Sequence, residues 1–98
     1  MELEYIVLEL NGTFGNIKYG GFKGSAETSD GEFKKKLGNA YFLDTDLQDK
    51  IIVVLPEAEL RLLEVEKSVT LINNRLTYHA RGHQQIYAVL WADDIVEI

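Results

Sequence analysis

The sequence predicts an all-β domain, either a small antiparallel OB-like barrel or a sandwich, from three observations. Runs rich in β-branched and aromatic residues recur along the chain, for example at Glu2–Leu10 and Gln85–Ala92. Turn dipeptides such as Asn11-Gly12 and Arg81-Gly82 separate these runs. The 98 residues are 46% hydrophobic and contain no linker or repeat, so we expect one domain over residues 1–98 with about six to eight short strands.

The first half of the chain predicts extended segments that are bent at glycines. After the Glu2–Leu10 strand comes Asn16–Gly24, in which Gly20-Gly21 indicates a bulge or a sharp bend. Two further extended segments follow, Glu32–Leu37 and Ala40–Leu43, with a bend expected between them.

The middle of the chain contains the most apolar strand and a candidate helix. Lys50–Leu55 is apolar on both alternating faces, which predicts a strand covered on both sides, and Pro56 ends it. Residues 56–62 combine helix-forming side chains with acids in a first turn, which favours a short helix there. Strand structure is expected to resume near Leu63.

The last third predicts three strands. Val69–Ile72 and Leu76–Ala80 are interrupted at Asn73-Asn74, and the strand that begins at Gln85 runs on towards Ile98.

The net charge of −6 argues against a protein whose nucleic-acid affinity rests on a high overall positive charge. The acids are nevertheless segregated, because none occurs between Glu9 and Glu27 or between Glu66 and Asp93. This distribution predicts one neutral-to-basic face and one acidic face; chance clustering on a solvated surface is the alternative.

The acid-free windows contain the candidate nucleic-acid-binding residues. Strand alternation directs Leu76, Tyr78 and Ala80 inward and leaves Thr77 outward; on the last strand it leaves the aromatic residues on the face opposite the core. Aromatic rings and cations together hold single-stranded nucleic acid. The candidates are Lys18, Phe22, Lys23, Arg75, His79, Arg81, Tyr87 and Trp91. The alternative is that the rings form a second apolar layer.

The acidic windows predict a surface for a basic protein partner, because charge complementarity raises association rate and selectivity. The candidate partner-binding residues are Glu57, Glu59, Glu64, Glu66, Asp93 and Asp94.

Catalytic and metal sites are not expected. The chain has no cysteine, and Gly82 interrupts the stretch between His79 and His83, so these imidazoles need not converge on a metal. The acids after Asp44 lack the glycine and the closing glutamate of a calcium loop, and Gly20–Ser25 lacks the spacing of a Walker A loop. We therefore expect no enzyme and no cofactor; a small hydrolase or metal-dependent enzyme is the less favoured alternative.

Five short blocks occur in a fixed order between Thr13 and Ile95. They are Thr13–Gly15, Tyr41–Gln48, Ile51–Pro56, Val69–Asn73 and Ala92–Ile95. In this order and spacing the chain resembles the small YdcP/HelP-type proteins of Gram-positive integrative and conjugative elements. The resemblance implies a helper in DNA transfer and replication, some members of the family being helicase processivity factors, with a host helicase and the element's relaxase as partners.

Two positions compare with the family's pattern in detail. Thr45 stands where the family has a serine, and we expect its hydroxyl to stabilise a loop by hydrogen bonding. Asn74 stands where the family has a proline after the Val-x-Leu-x-Asn block.

The N-terminus has no basic region followed by an apolar run, and no 18 consecutive residues are apolar, so we expect a cytoplasmic protein without membrane contact. The resulting prediction is a non-enzymatic accessory protein of a mobile element that supports helicase-driven unwinding, with weak single-stranded DNA binding. The alternative is a protein–protein adaptor without nucleic-acid contact.

Overall fold

The computed structural model describes residues 5–30, 33–56, 60, 62–81 and 85–98, and it confirms the all-β class. The elements in chain order are α1 (Leu10–Phe14), β1 (Ile17–Asp30), β2 (Phe33–Thr45), β3 (Asp49–Leu55), β4 (Val69–Ile72), β5 (Arg75–Arg81), β6 (Gln85–Trp91) and β7 (Asp94–Glu97).

The strands form two sheets that are not closed into a barrel. The larger sheet has the order β1-β2-β3-β6-β5, and β4 pairs with β7 in the smaller one. Pairing between the named strands is antiparallel except between β3 and β6, which run parallel at Val53–Leu90 and Val54–Trp91. The sandwich alternative therefore describes the fold, with one parallel contact that the sequence did not predict.

The hydrophobic core lies between the two sheets. Tyr41, Val53 and Leu90 come from the larger sheet, and Leu71 and Ile95 from the smaller one. At β3, Val53, Val54 and Leu55 are all buried, so both faces of the strand's second half are covered, as predicted. The first half of β3 is more exposed because its side chains lie beyond this covered region.

The described helix is not at the predicted place. Asn11-Gly12, predicted as a turn, lies inside α1, where the carboxylate of Glu9 accepts a hydrogen bond from the Gly12 N–H. Burial of Phe14 fixes this short helix to the core. Of the predicted helix at 56–62, residues 57–59 and 61 lie outside the described residues, and Pro56 is not helical.

Glycines shape the β1–β2 hairpin. The register shifts between Tyr19 and Gly21, which confirms the predicted irregularity at Gly20-Gly21. Gly21 has φ = 111°, a conformation that side-chain-bearing residues rarely adopt. The predicted bend at Gly38-Asn39 is absent, because β2 runs through both residues while pairing with β1 and β3.

In the described part of the N-terminal segment, residues 5–9, a single bridge forms where a strand was predicted over Glu2–Leu10. Ile6 and Leu76 exchange two backbone hydrogen bonds of 3.0 and 2.7 Å at the outer edge of β5. Asn74, which is buried, clamps the segment: its Oδ1 accepts from Leu8 N–H at 2.9 Å, and its Nδ2 donates to Leu8 O at 3.3 Å. A proline at position 74 would lack both contacts.

Thr45 confirms the predicted loop role of its hydroxyl. Its Oγ1 accepts from the Gln48 N–H at 3.0 Å and donates to Asp49 O at 2.8 Å, which closes the turn between β2 and β3. Within the described ranges, no helix has the length and apolar character needed to cross a membrane.

Candidate nucleic-acid interface

The larger sheet has an outer face that carries rings, aliphatic side chains and cations. Residues that alternate with the core residues form this face, and residues paired across strands share it. Its three rows of paired residues are Lys18, Asp44 and Lys50; Phe42 and Ile52; and Ala40, Val54, Trp91 and Arg75.

Phe42 and Lys50 form a contact between a ring and a cation on the outer face. The Lys50 Nζ lies 5.2 Å from the centroid of the half-exposed Phe42 ring. Ile52, paired with Phe42, is 43% exposed. A cation–π contact at an exposed site stabilises by only about 0.5–1 kcal/mol. The exposed Lys50 ammonium is therefore held only weakly against the ring.

Trp91 is half-buried on the same face and leans towards β5. Its indole Nε1 donates to Thr77 Oγ1 at 2.8 Å, and Thr77 is buried beneath it. Thr77 thus lies on the outer face, as predicted, but it is buried because the indole covers it. Tyr78, predicted inward, is exposed because it pairs with the exposed Ala88, where the hairpin extends past the core.

Arg75, a predicted nucleic-acid-binding residue, forms an ion pair with Asp93, a predicted partner-binding residue. Its Nη1 donates to Asp93 Oδ1 at 3.0 Å and to Asn73 O at 2.8 Å. The Asn73 amide also donates to Asp93 Oδ2 at 2.8 Å. These two side chains, Asn73 first and Arg75 second, hold the pKa of Asp93 below its usual range. The Arg75 charge is therefore partly neutralised within the protein.

The β1 candidates lie far from Arg75. β1 and β5 are opposite edges of the five-stranded sheet, four strand spacings or about 19 Å apart. Lys18 is exposed on the outer face, whereas the Phe22 ring packs 5.5 Å from the Tyr41 ring on the core side. Lys23 is exposed within a bulge of β1. The sheet thus groups Lys18, Arg75 and Trp91 on one face but not Phe22.

Three other candidates lie on β5 and β6 beyond the described side chains. His79 pairs with Tyr87, and Arg81 pairs with Gln85, in the backbone register of the hairpin. The side chains of His79, Arg81 and Tyr87 lie outside the described part of the structure.

The acidic candidates fall into two groups. Glu64 and Glu66 are exposed beside the edge of β1, and Asp93 and Asp94 lie at the junction of β6 and β7. Glu57 and Glu59 lie outside the described residues.

Sequence reasoning missed Phe42, Lys50 and Ile52. Alternation showed that Phe42 opposes Tyr41 and Leu43, but it could not tell which set faces the core. Lys50–Leu55 was predicted to be covered on both sides, which hid the exposure of Ile52 at the start of the strand. Lys50 itself indicated that the start of this strand is exposed, because lysine side chains are rarely fully buried.

The N-terminal segment widens the outer face at β5. Because Ile6 pairs with Leu76, its neighbours Tyr5 and Val7 lie on the opposite side of the segment, next to Arg75 and Thr77. Both are largely exposed. The exposed Tyr5 and Val7 are separated from Phe42 on this face by the buried Val54 and Thr77.

Among the described residues, no three histidine or acidic side chains are grouped to hold a metal ion. The arrangement of the outer face fits reversible contact with a ligand that has planar rings and phosphates.

A family model, DUF961, described as a bacterial protein of unknown function, matches residues 4–96 of the chain. None of the curated proteins and none of the solved structures is significantly similar to this chain.

Proposed function

We propose, from the premise that this chain belongs to DUF961, a bacterial family of unknown function, that it is a non-enzymatic accessory protein of a conjugative mobile element. In this proposal it acts in the bacterial cytoplasm and supports helicase-driven DNA unwinding during conjugative transfer and element replication. The order of the five sequence blocks, which resembles YdcP/HelP-type proteins, supports the biological context.

The observation that carries the proposal is the outer face of the larger sheet. Phe42 is half-exposed with Lys50 against its ring, and Trp91 and Lys18 lie on the same face. Single-stranded nucleic acid is held by such rings together with cations, without sequence readout. A helper with this face would keep the separated strands from re-annealing behind a motor.

The charge of the protein makes this contact weak. Asp44 lies between Lys18 and Lys50 in its row, and Arg75 is paired with Asp93. The protein therefore neutralises few phosphates, and its affinity for DNA decreases only slightly as the salt concentration rises. Weak binding suits a protein that must release each strand as the motor advances.

The motor is another protein, since the sequence lacks a nucleotide-binding loop. The test is an unwinding assay with a purified UvrD/PcrA-type helicase and a long duplex with a single-stranded end. We expect the wild-type protein to increase the length unwound per binding event, and Phe42→Ala with Lys50→Ala to reduce that increase.

Tyr78→Ala provides a matched control for the ring, because it removes an exposed ring that lies off the outer face. This variant should stimulate as the wild type does. An unchanged unwound length on adding the wild-type protein would contradict the proposal.

A protein–protein adaptor without DNA contact is the second candidate, and the pairing of Arg75 with Asp93 favours it. This pairing removes one cation from the proposed DNA face, and the net charge of −6 repels phosphate. Helicase stimulation that survives the Phe42 and Lys50 substitutions would select the adaptor.

A further inference from the structure

A second surface, at the β1 edge of the larger sheet, is formed by residues 62–66, called here the 62–66 segment. Leu62 is 67% exposed and Val65 is 58% exposed, whereas Leu63 between them packs against the core. Glu64 and Glu66 are exposed beside these apolar side chains. Two large apolar side chains and two carboxylates are therefore exposed together on one short stretch of chain.

The 62–66 segment is fixed to the edge of β1. The Glu66 N–H donates to Tyr19 O at 2.8 Å, and the Tyr19 N–H donates to Lys67 O at 2.9 Å. Lys67 N–H also donates to Glu64 O at 3.3 Å, which closes a turn. With Leu63 held in the core as well, Leu62 and Val65 are presented on a fixed backbone, so little ordering is required on binding.

The charges of the 62–66 segment decide what kind of ligand it fits. Glu64 lies 4.0 Å from the Lys67 ammonium, so with Glu66 the segment and its neighbour retain a net negative charge. This charge repels phosphates, which argues against nucleic acid and an anionic membrane. Glu64 and Glu66 would also face each other across a symmetric contact between two copies of this chain, which disfavours self-association there. A protein surface with an apolar groove bordered by lysine or arginine satisfies both the leucine and valine side chains and the carboxylates.

We infer that the 62–66 segment is the docking site for a basic protein partner. Leu62 and Val65 enter an apolar groove, and Glu64 and Glu66 contact cations at its border. The inference rests on the helicase-support role proposed above and assigns the contact with the motor to this segment, leaving the outer face for the displaced strand. The contact is small, so it belongs to the weak and transient class.

The test uses the purified helicase, immobilised on a surface, as the probe. It measures the association and dissociation rates of the full-length protein at low and high salt. We expect the double variant Leu62→Ser, Val65→Ser to lower the affinity at least tenfold. Glu64→Gln with Glu66→Gln should lower the association rate severalfold and reduce its salt dependence, because rim charges act mainly on encounter.

Leu47→Ser with Ile72→Ser is the matched control, since Leu47 is 60% exposed and Ile72 is 40% exposed, in the β2–β3 turn and at the end of β4, outside the segment. This control should bind as the wild type does. Thermal unfolding and oligonucleotide binding should be unchanged in all three double variants, which separates loss of docking from loss of fold.

The outcomes separate the two claims. If the wild type binds and stimulates the helicase and the Leu62, Val65 variant does so within twofold, the docking site is wrong while the proposed function stands. If the wild type neither binds nor stimulates the helicase, the proposed function fails and the docking assignment fails with it.

Discussion

The carboxylate of Asp93 connects two loops at one end of the sandwich. It accepts hydrogen bonds from the Asn73 amide and the Arg75 guanidinium, while its own N–H donates to Ile72 O. The turn between β4 and β5 is thereby tied to the turn between β6 and β7. Arg75 and Asp93 therefore contribute to the structure and are not simply free surface charges.

Removal of the Asp93 charge should change how stability depends on pH. The folded-state pKa of Asp93 is lowered, so its stabilising contribution is present above the ordinary aspartate pKa of about 3.9 and is lost as pH falls through the folded value. We expect Asp93→Asn to lower the melting temperature near pH 7, and the difference from wild type to narrow below about pH 4.

Thermal unfolding monitored by circular dichroism between pH 3 and pH 7 measures this difference. Glu27→Gln removes an exposed carboxylate on β1 and controls for the altered net charge. A wild-type to Asp93→Asn difference that is constant across the range would show that the ionised carboxylate does not stabilise the loops.

Among the elements, β2 depends on a close approach at Gly38. A Cβ at this position would lie 2.2 Å from Leu55 O, where the end of β3 passes the buried glycine. Only a residue without a side chain lets β2 continue straight while pairing on both sides. This contact explains why a glycine predicted to mark a bend lies within a continuous strand.

Gly38→Ala should therefore destabilise the protein by about 1–3 kcal/mol more than Gly24→Ala. Gly24 is a matched control because its φ is also positive, at 142°, but an added Cβ there meets nothing within 4 Å. Urea unfolding of the two variants gives the difference in the free energy of unfolding. Equal values would show that the end of β3 moves aside without cost.

The elements also show which features the sequence could predict. Alternation correctly placed Leu90 inward and Thr77 with Trp91 on one face, because side chains along a strand point to opposite faces by geometry. It could not predict that Trp91 would cover Thr77 or that Tyr78 would lie beyond the core. Those outcomes depend on where the smaller sheet ends, which is a long-range property.

The candidate site was predictable to a similar extent. Lys18, Arg75 and Trp91 were identified from charge and aromatic content, and the sheet brings them to one face. Phe42 and Lys50 were missed because their contact depends on the register between β2 and β3. The Arg75–Asp93 pair was missed because the chain separates the two residues while the fold joins their loops.

At the scale of the whole molecule, the sandwich presents two surfaces of different character. The outer face combines half-buried rings with Lys18 and Lys50, and the 62–66 segment combines apolar side chains with carboxylates. The 62–66 segment is fixed to β1 at Tyr19, next to Lys18 of the outer face. A motor docked on the segment would therefore lie beside a strand held on the outer face, and in the proposed function this adjacency couples the motor to its product.

Direct binding of single-stranded DNA by the outer face is the central claim. The measurement is a titration of the fluorescence of Trp91, the single tryptophan, with a single-stranded oligonucleotide at low and high salt. We predict quenching that weakens as salt rises, and a 5- to 150-fold weaker affinity in Phe42→Ala, equivalent to about 1–3 kcal/mol for one stacked base. No binding at low salt, or an affinity unchanged by Phe42→Ala, would contradict the claim.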